Sequence, residues 1–147
     1  MTRILFVCTG NTCRSPMAEA ILRKMNLPGV EVKSAGVFAM NGNEASRHAQ
    51  TVLDENQISH QHQSTFLTKA EVDWATHIVT MTNGHRSTII NTFPEVASKT
   101  FTLKELAGIG VGDVGDPYGG SVDIYRVTFS EIKEAIEKMM DRMKDQP

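Results

Sequence analysis

The chain opens on an unbroken apolar run, Ile4-Leu5-Phe6-Val7, which stops at a polar stretch, Cys8-Thr9-Gly10-Asn11-Thr12-Cys13-Arg14-Ser15. A short run that is apolar at every position predicts a strand covered on both faces, as at the centre of a parallel sheet. Strand-like segments fall at Arg3–Val7, Glu31–Ser34, His77–Met81 and Lys99–Leu103. Helical patterns alternate with them at Met17–Met25, Ala45–Glu55 and Asn83–Phe93. A short helix at Lys69–Trp74 opens with a capping box, Thr68-x-x-Glu71. The last helix runs from Val122 to Met143, where Tyr125, Phe129, Ile132, Ile136, Met139 and Met143 recur at helical spacing. The methionines there read as packing residues. Alternating strands and helices, without repeats, linkers or low-complexity segments, predict one α/β domain over residues 1–147.

The polar stretch after the first strand carries the chemistry. A loop wrapped over a helix N-terminus aims backbone N–H groups at one point, and the helix dipole adds partial positive charge. Such a site holds a dianionic phosphate and also stabilises a thiolate, which makes Cys8 a candidate nucleophile. Arg14 supplies a planar fork of donors that matches two phosphoryl oxygens. Ser15 is placed to donate its hydroxyl to the sulfur. Gly10 is expected to relieve steric limits on the turn, Asn11 to tolerate a left-handed conformation, and Pro16 to occupy the first helical position.

A second polar stretch, Gly112-Asp113-Val114-Gly115-Asp116-Pro117-Tyr118-Gly119-Gly120, precedes the last helix. A thiolate that displaces a phosphoryl group needs an acid for the leaving atom and then a base for water. Asp116 is the candidate, because Pro117 restricts how it swings. Asp113 is its rival and reads as a solvated turn residue.

With both stretches in view, the chain resembles the low-molecular-weight protein tyrosine phosphatases over essentially its whole length. The resemblance rests on Phe6-Val7-Cys8-x-Gly10-Asn11-x-Cys13-Arg14-Ser15-Pro16-Met17-Ala18-Glu19, on Ser34-Ala35-Gly36 and on Asp116-Pro117. It implies a four-stranded parallel sheet in the order 2-1-3-4, with the Cys8 loop at the topological switch point. It also implies a phosphocysteine intermediate at Cys8 and phosphate binding by Arg14 and the loop, Thr9, Gly10, Asn11, Thr12, Cys13 and Ser15. Asp116 would transfer protons, and Asn11, Ser15 and Ser34 would hold the loop in shape. Phe38 and Tyr118 are candidate walls of the cleft, although each equally suits a surface aromatic packing its own loop.

Within that family the resemblance leans toward the protein-arginine phosphatases of Gram-positive bacteria. Thr12, Ser34-Ala35-Gly36-Val37-Phe38-Ala39, Phe101-Thr102-Leu103-Lys104-Glu105, Gly112-Asp113-Val114 and Asp116-Pro117-Tyr118-Gly119-Gly120-Ser121-x-x-x-Tyr125 carry it. A threonine at the place of Thr12 goes with phosphoarginine preference, whereas tyrosine-selective relatives carry a bulkier aliphatic residue. Those relatives often have two adjacent aromatics after the proline; here Tyr118 is followed by Gly119. Phosphotyrosine stays open as the alternative substrate, and Thr12 also suits a plain β-branched filler.

The only two cysteines are Cys8 and Cys13, at the two ends of one loop. Cys13 is open to two readings, a redox partner that traps oxidised Cys8 as a disulfide or a small buried filler. Two cysteines without a clustered histidine pair do not build the usual structural zinc site, and the expected chemistry calls for no metal or other cofactor. The five histidines are scattered and read mainly as solvated or capping groups, with His62 the pick for bracing the loop. A net charge of −2 gives no reason to expect nucleic-acid or membrane partners. Neither a signal peptide nor a membrane span is expected, so the reading is a cytoplasmic, monomeric enzyme acting on phosphorylated proteins and releasing inorganic phosphate.

Three rival functions share parts of this pattern. An arsenate reductase needs relay cysteines beyond Cys13. A phosphocarrier has no use for Arg14 with Asp116-Pro117, and a silent phosphoresidue-binding module typically loses its nucleophile or acid.

Overall fold

The apolar run Ile4-Leu5-Phe6-Val7 is fully buried, at the centre of the strand β1 (Thr2–Cys8). In the computed structural model, which describes residues 1–110 and 112–144, β1 is hydrogen-bonded on both sides. It pairs in parallel with β2 (Val30–Gly36) and with β3 (His77–Thr80). A fourth strand, β4 (Thr100–Thr102), pairs with β3, giving a four-stranded parallel sheet in the order β2-β1-β3-β4. Position 111 and positions 145–147, which the one-domain expectation also spans, lie outside the described residues.

Alternation along β1 divides the core in two. Ile4 and Phe6 pack among residues of α1 (Arg14–Met25), α2 (Arg47–Glu55), α5 (Leu103–Ala107) and α6 (Val122–Lys144). Leu5 and Val7 face the opposite cluster, with Val72 of α3 (Lys69–Trp74) and Ile89 of α4 (Asn83–Thr92). Helices therefore cover both faces, which is what a strand apolar at every position requires. Each fully buried side chain of β1 contributes roughly 1.5–3 kcal/mol of transfer free energy. In α6 the expected stripe is buried at Tyr125, Phe129, Ile132, Ile136 and Met139, so the methionines are core packing. Among the described residues, no helix is long and apolar enough to cross a membrane.

Several boundaries differ from the sequence expectation. Helix α1 begins at Arg14 rather than Met17, so Pro16 is its third residue instead of its first. Its missing N–H still falls in the first turn, where no helical acceptor exists. The strand expected at Lys99–Leu103 is only three residues long, because Thr102 caps a new helix, its side chain accepting from the Glu105 N–H. A 3-10 helix, Pro94–Lys99, precedes that strand. The capping box of Thr68 and Glu71 is present at the start of α3.

Because β2 and β3 leave β1 on opposite sides, a crevice opens at its carboxyl end. That end is Cys8.

Candidate active site

The chain leaves β1 at Cys8 and enters α1 at Arg14, so the loop between them is Thr9 to Cys13. Asn11 makes this tight path feasible, with φ of 55° in the left-handed region. Gly10 has no positive φ, and a Cβ there would meet only Thr12 Oγ1 at 3.6 Å, so the expected steric role of Gly10 is not found. The glycine the loop does need is Gly36, at the end of β2. A Cβ on Gly36 would stand 2.4 Å from the Thr9 carbonyl oxygen and 2.9 Å from the Asn11 nitrogen. The chain after Gly36 clamps the loop from outside, Val37 N–H donating to Cys8 O (3.0 Å) and Phe38 N–H to Thr9 O (2.9 Å).

A directed relay of hydrogen bonds leads to the Cys8 sulfur. The buried Glu19 carboxylate accepts the Ser34 hydroxyl through Oε1. Ser34 Oγ then accepts from Asn11 Nδ2 (2.9 Å), whose other N–H goes to Ser15 Oγ (2.8 Å). Ser15 Oγ is thereby an acceptor from Asn11, and its own proton is left for Cys8 Sγ at 2.8 Å. The Asn11 amide is completed by Thr65 N–H, which donates to Oδ1 (2.8 Å), and its carbonyl accepts from His62 Nε2 (2.6 Å). Asn11 and Ser15 are fully buried. Their side chains hold the loop and do not line the cavity.

Among the described residues, the consecutive amides from Thr9 to Arg14 donate to no protein acceptor. A run of unpaired N–H groups over the start of a helix is an anion cradle. Arg14 is 4% exposed and is held by a bond from Nη1 to the Val114 carbonyl (2.9 Å). Its Nη2 lies 3.7 Å from Asp116 Oδ2. Asp116 is half-exposed, and its Oδ1 accepts the Tyr118 N–H (3.0 Å), closing a turn across Pro117. A cavity of about 230 Å³ lies between the two loops, lined by Cys8, Thr9, Gly10, Thr12, Cys13 and Arg14 on one side and by Asp116 and Tyr118 on the other.

Two expected positions fall differently. Phe38 is 75% exposed and is not among the cavity walls; its backbone, not its ring, serves the loop. Asp113 is solvent-exposed as expected but lies in no turn, and its Oδ1 accepts the Asn83 N–H at the start of α4. Cys13 is buried, with its sulfur 3.2 Å from Tyr125 Oη and 3.7 Å from Ser46 Oγ, and both thiols are free. Burial first, and the bond to Cys13 next, push Tyr125 up to about 12, which keeps its phenol a donor.

His85 and Glu19 are the residues that the sequence reading missed. His85 Nε2 lies 2.9 Å from Thr9 Oγ1 and its Nδ1 3.1 Å from Thr82 Oγ1. Burial, helped by the Arg14 charge, lowers its pKa to about 4, so the ring is neutral beside the loop. Nothing local ties His85 to the loop, because its partner there, Thr9, is far away in sequence. Glu19 did leave a signal: it is the one carboxylate in the stretch Arg14–Leu22, every residue of which is buried.

The low molecular weight phosphotyrosine protein phosphatase family model matches residues 3–147. A protein-arginine-phosphatase of Geobacillus stearothermophilus is 52% identical over 141 residues, covering 96% of this chain and 95% of that protein. The solved structure of the YwlE arginine phosphatase from Geobacillus stearothermophilus superposes with a TM-score of 0.96 at 51% identity, covering 98% of this chain and 94% of that one. A YwlE arginine phosphatase mutant, cysteine to serine with a phosphorylated active site serine, superposes with a TM-score of 0.93 at 42% identity over 99% of this chain and 97% of its own. The whole described fold, from the Cys8 loop to α6, thus has its counterpart in phosphatases, and this chain belongs to the low molecular weight phosphotyrosine protein phosphatase family.

Proposed function

We propose that the protein hydrolyses phosphoarginine in proteins through a phosphocysteine intermediate. The observation that carries the choice of substrate is Thr12, which lines the same cavity as Cys8, Arg14 and Asp116. A short β-branched side chain leaves room for a flat guanidinium beside the phosphoryl group, where a larger aliphatic residue would intrude. Support comes from the 52% identity to a protein-arginine-phosphatase.

The geometry suits each step. The substrate phosphoryl group docks on the amides from Thr9 to Arg14 and on the Arg14 fork. Those donors are in place beforehand, so they stabilise the equatorial oxygens without reorganisation. Cys8 attacks phosphorus in line, the S–P bond forms and the P–N bond breaks. Asp116 gives its proton to the departing nitrogen, without which a guanidine is a poor leaving group. Asp116, now a carboxylate, takes a proton from water, which attacks phosphorus; the S–P bond breaks and phosphate leaves with Cys8 again a thiolate. A phosphorylated active site serine in the mutant relative supports covalent transfer to this position.

Phosphotyrosine is the second reading, favoured by Tyr118, whose ring is 79% exposed at the cavity wall. An aromatic there offers a stacking face to a phenyl leaving group. Matched phosphoarginine and phosphotyrosine peptides, compared by kcat/KM, separate the two. Preference for phosphoarginine is expected; faster turnover of phosphotyrosine would return the protein to the general tyrosine phosphatase class.

A further inference from the structure

Behind the phosphate loop, three ligand-type side chains converge: Glu19 of α1, and His60 and His62 between α2 and α3. One metal-ligating atom from each lies within 4.8 Å of the others. His60 Nε2 is 3.8 Å from Glu19 Oε2, and His62 Nδ1 is 4.0 Å from Glu19 Oε1. The two imidazoles stack, with centroids 5.7 Å apart and planes inclined by 27°. The His60 side chain is 3% exposed, and its Nε2, turned toward Glu19, is buried without a hydrogen-bond partner. A polar atom orphaned in this way is costly unless something else meets it.

His62 is held in the manner of a metal ligand. The Asn11 backbone carbonyl can only accept, so His62 Nε2 at 2.6 Å carries a proton, which leaves Nδ1, the nitrogen facing Glu19, as the one able to bind an ion. Metal-binding histidines are commonly fixed by this kind of N–H to carbonyl bond on the nitrogen that does not bind.

We propose that Glu19, His60 and His62 form a binding site for a divalent transition-metal ion of the zinc class, with solvent completing its coordination. Two imidazoles and one carboxylate suit such an ion better than magnesium or calcium, which prefer oxygen donors alone. A tetrahedral ion with bonds of about 2.0–2.2 Å holds its ligand atoms about 3.3–3.5 Å apart. The three ligand atoms, now within 4.8 Å of one another, would draw together by side-chain rotation to reach that spacing. An open cleft of about 640 Å³, lined in part by His60, His62 and Glu44, provides access from solvent. Arg23 opposes the ion, pairing with Glu19 Oε2 at 2.8 Å and also donating to the Val32 carbonyl (3.1 Å); its side chain is 53% exposed, and entry of the ion requires it to leave both partners and turn outward.

The bound ion would fix His62 against the Asn11 carbonyl and Glu19 against the Ser34 hydroxyl, both of which buttress the phosphate loop. It acts as a clip on the back of that loop, on residues that do not line the catalytic cavity. The proposal does not depend on which phosphorylated residue is the substrate.

Calorimetric titration with zinc, in phosphate-free buffer, tests it on the full-length protein and on the Cys8→Ser and His60→Gln variants. One equivalent is expected to bind the unmodified protein and Cys8→Ser alike, with affinity at least about tenfold weaker in His60→Gln. Loss of binding in Cys8→Ser would assign the ion to the catalytic thiolate and overturn the proposal, as would the absence of saturable binding. Should His60→Gln fail to fold, imidazole nitrogen NMR of the unmodified protein decides. Zinc is expected to shift His62 Nδ1 and His60 Nε2 while the ring of His77 stays in place; unchanged His60 and His62 signals would refute the site.

Discussion

The loop that carries Cys8 and the loop that carries Asp116 face each other across one cavity and are held in opposite ways. Around Cys8, buried side chains hold one another in series: Glu19, Ser34, Asn11 and Ser15 are all hydrogen-bonded, and Thr65 and His62 close the shell. The Asp116 loop is pinned at Val114, which is fully buried, donates its N–H to Met81 O and gives its carbonyl to Arg14. Beyond Val114 it is exposed apart from the buried Pro117, and among the described residues Asp116 bonds only within its own turn and, at 3.7 Å, to Arg14. The difference matches the two tasks proposed for them. Electrostatic stabilisation of a phosphoryl group needs donors that do not reorganise. An acid that becomes a base, and that must admit both a leaving group and water, needs room.

Removal of the proposed nucleophile is expected to give the largest effect. Cys8→Ser is expected to lower turnover by at least about four orders of magnitude, measured as phosphate release from a phosphopeptide. Asp116→Asn should follow, with kcat lower by about 10²–10⁴-fold and the folded state changed by no more than about 0.5 kcal/mol. Chemical denaturation checks the second half of that claim, since a large loss of stability would mean that the acid loop is as tightly built in as its counterpart. Asn11→Ala breaks the comparison from the other side. It removes one partner each from Ser15, Ser34 and the Thr65 N–H and should cost about 2–4 kcal/mol of stability in the same assay.

The smallest effect is a pH dependence at His85. Burial lowers its pKa from 6.5 to about 4, so the unfolded chain binds a proton there that the folded one does not. Stability from this source is complete above about 6.5 and is lost as pH falls toward 4. His85→Gln should therefore lose less thermal stability than the unmodified protein between pH 7 and pH 5. Equal losses would mean that the ring is free to charge in the folded state.

The same contrast explains what the sequence made legible. The Cys8 loop, its strand and its helix are contiguous, so an apolar run, a polar turn and Arg14 disclose the architecture directly. Asp116 is readable because Pro117 marks it. His85 and Glu19 act on the loop through tertiary contacts, to Thr9 and Ser34, which lie far from them in sequence. The helix at Leu103 was hidden differently. Thr102-x-x-Glu105 has the same capping pattern as Thr68-x-x-Glu71, but it follows Thr100-Phe101, and the β-branched and aromatic residues favoured a longer strand. Phe38 read as a wall because aromatics commonly line clefts, whereas here its N–H, which no residue pattern reveals, does the holding.

The central claim is that Thr12 selects phosphoarginine in a site otherwise built for general phosphoryl transfer. Its most direct test is kcat/KM for matched phosphoarginine and phosphotyrosine peptides in the unmodified protein and in Thr12→Ile. The account predicts a preference for phosphoarginine that falls by at least about tenfold in the variant while phosphotyrosine turnover is kept or raised. Equal loss on both substrates, or an unchanged ratio, would contradict it and leave Thr12 a filler of the loop.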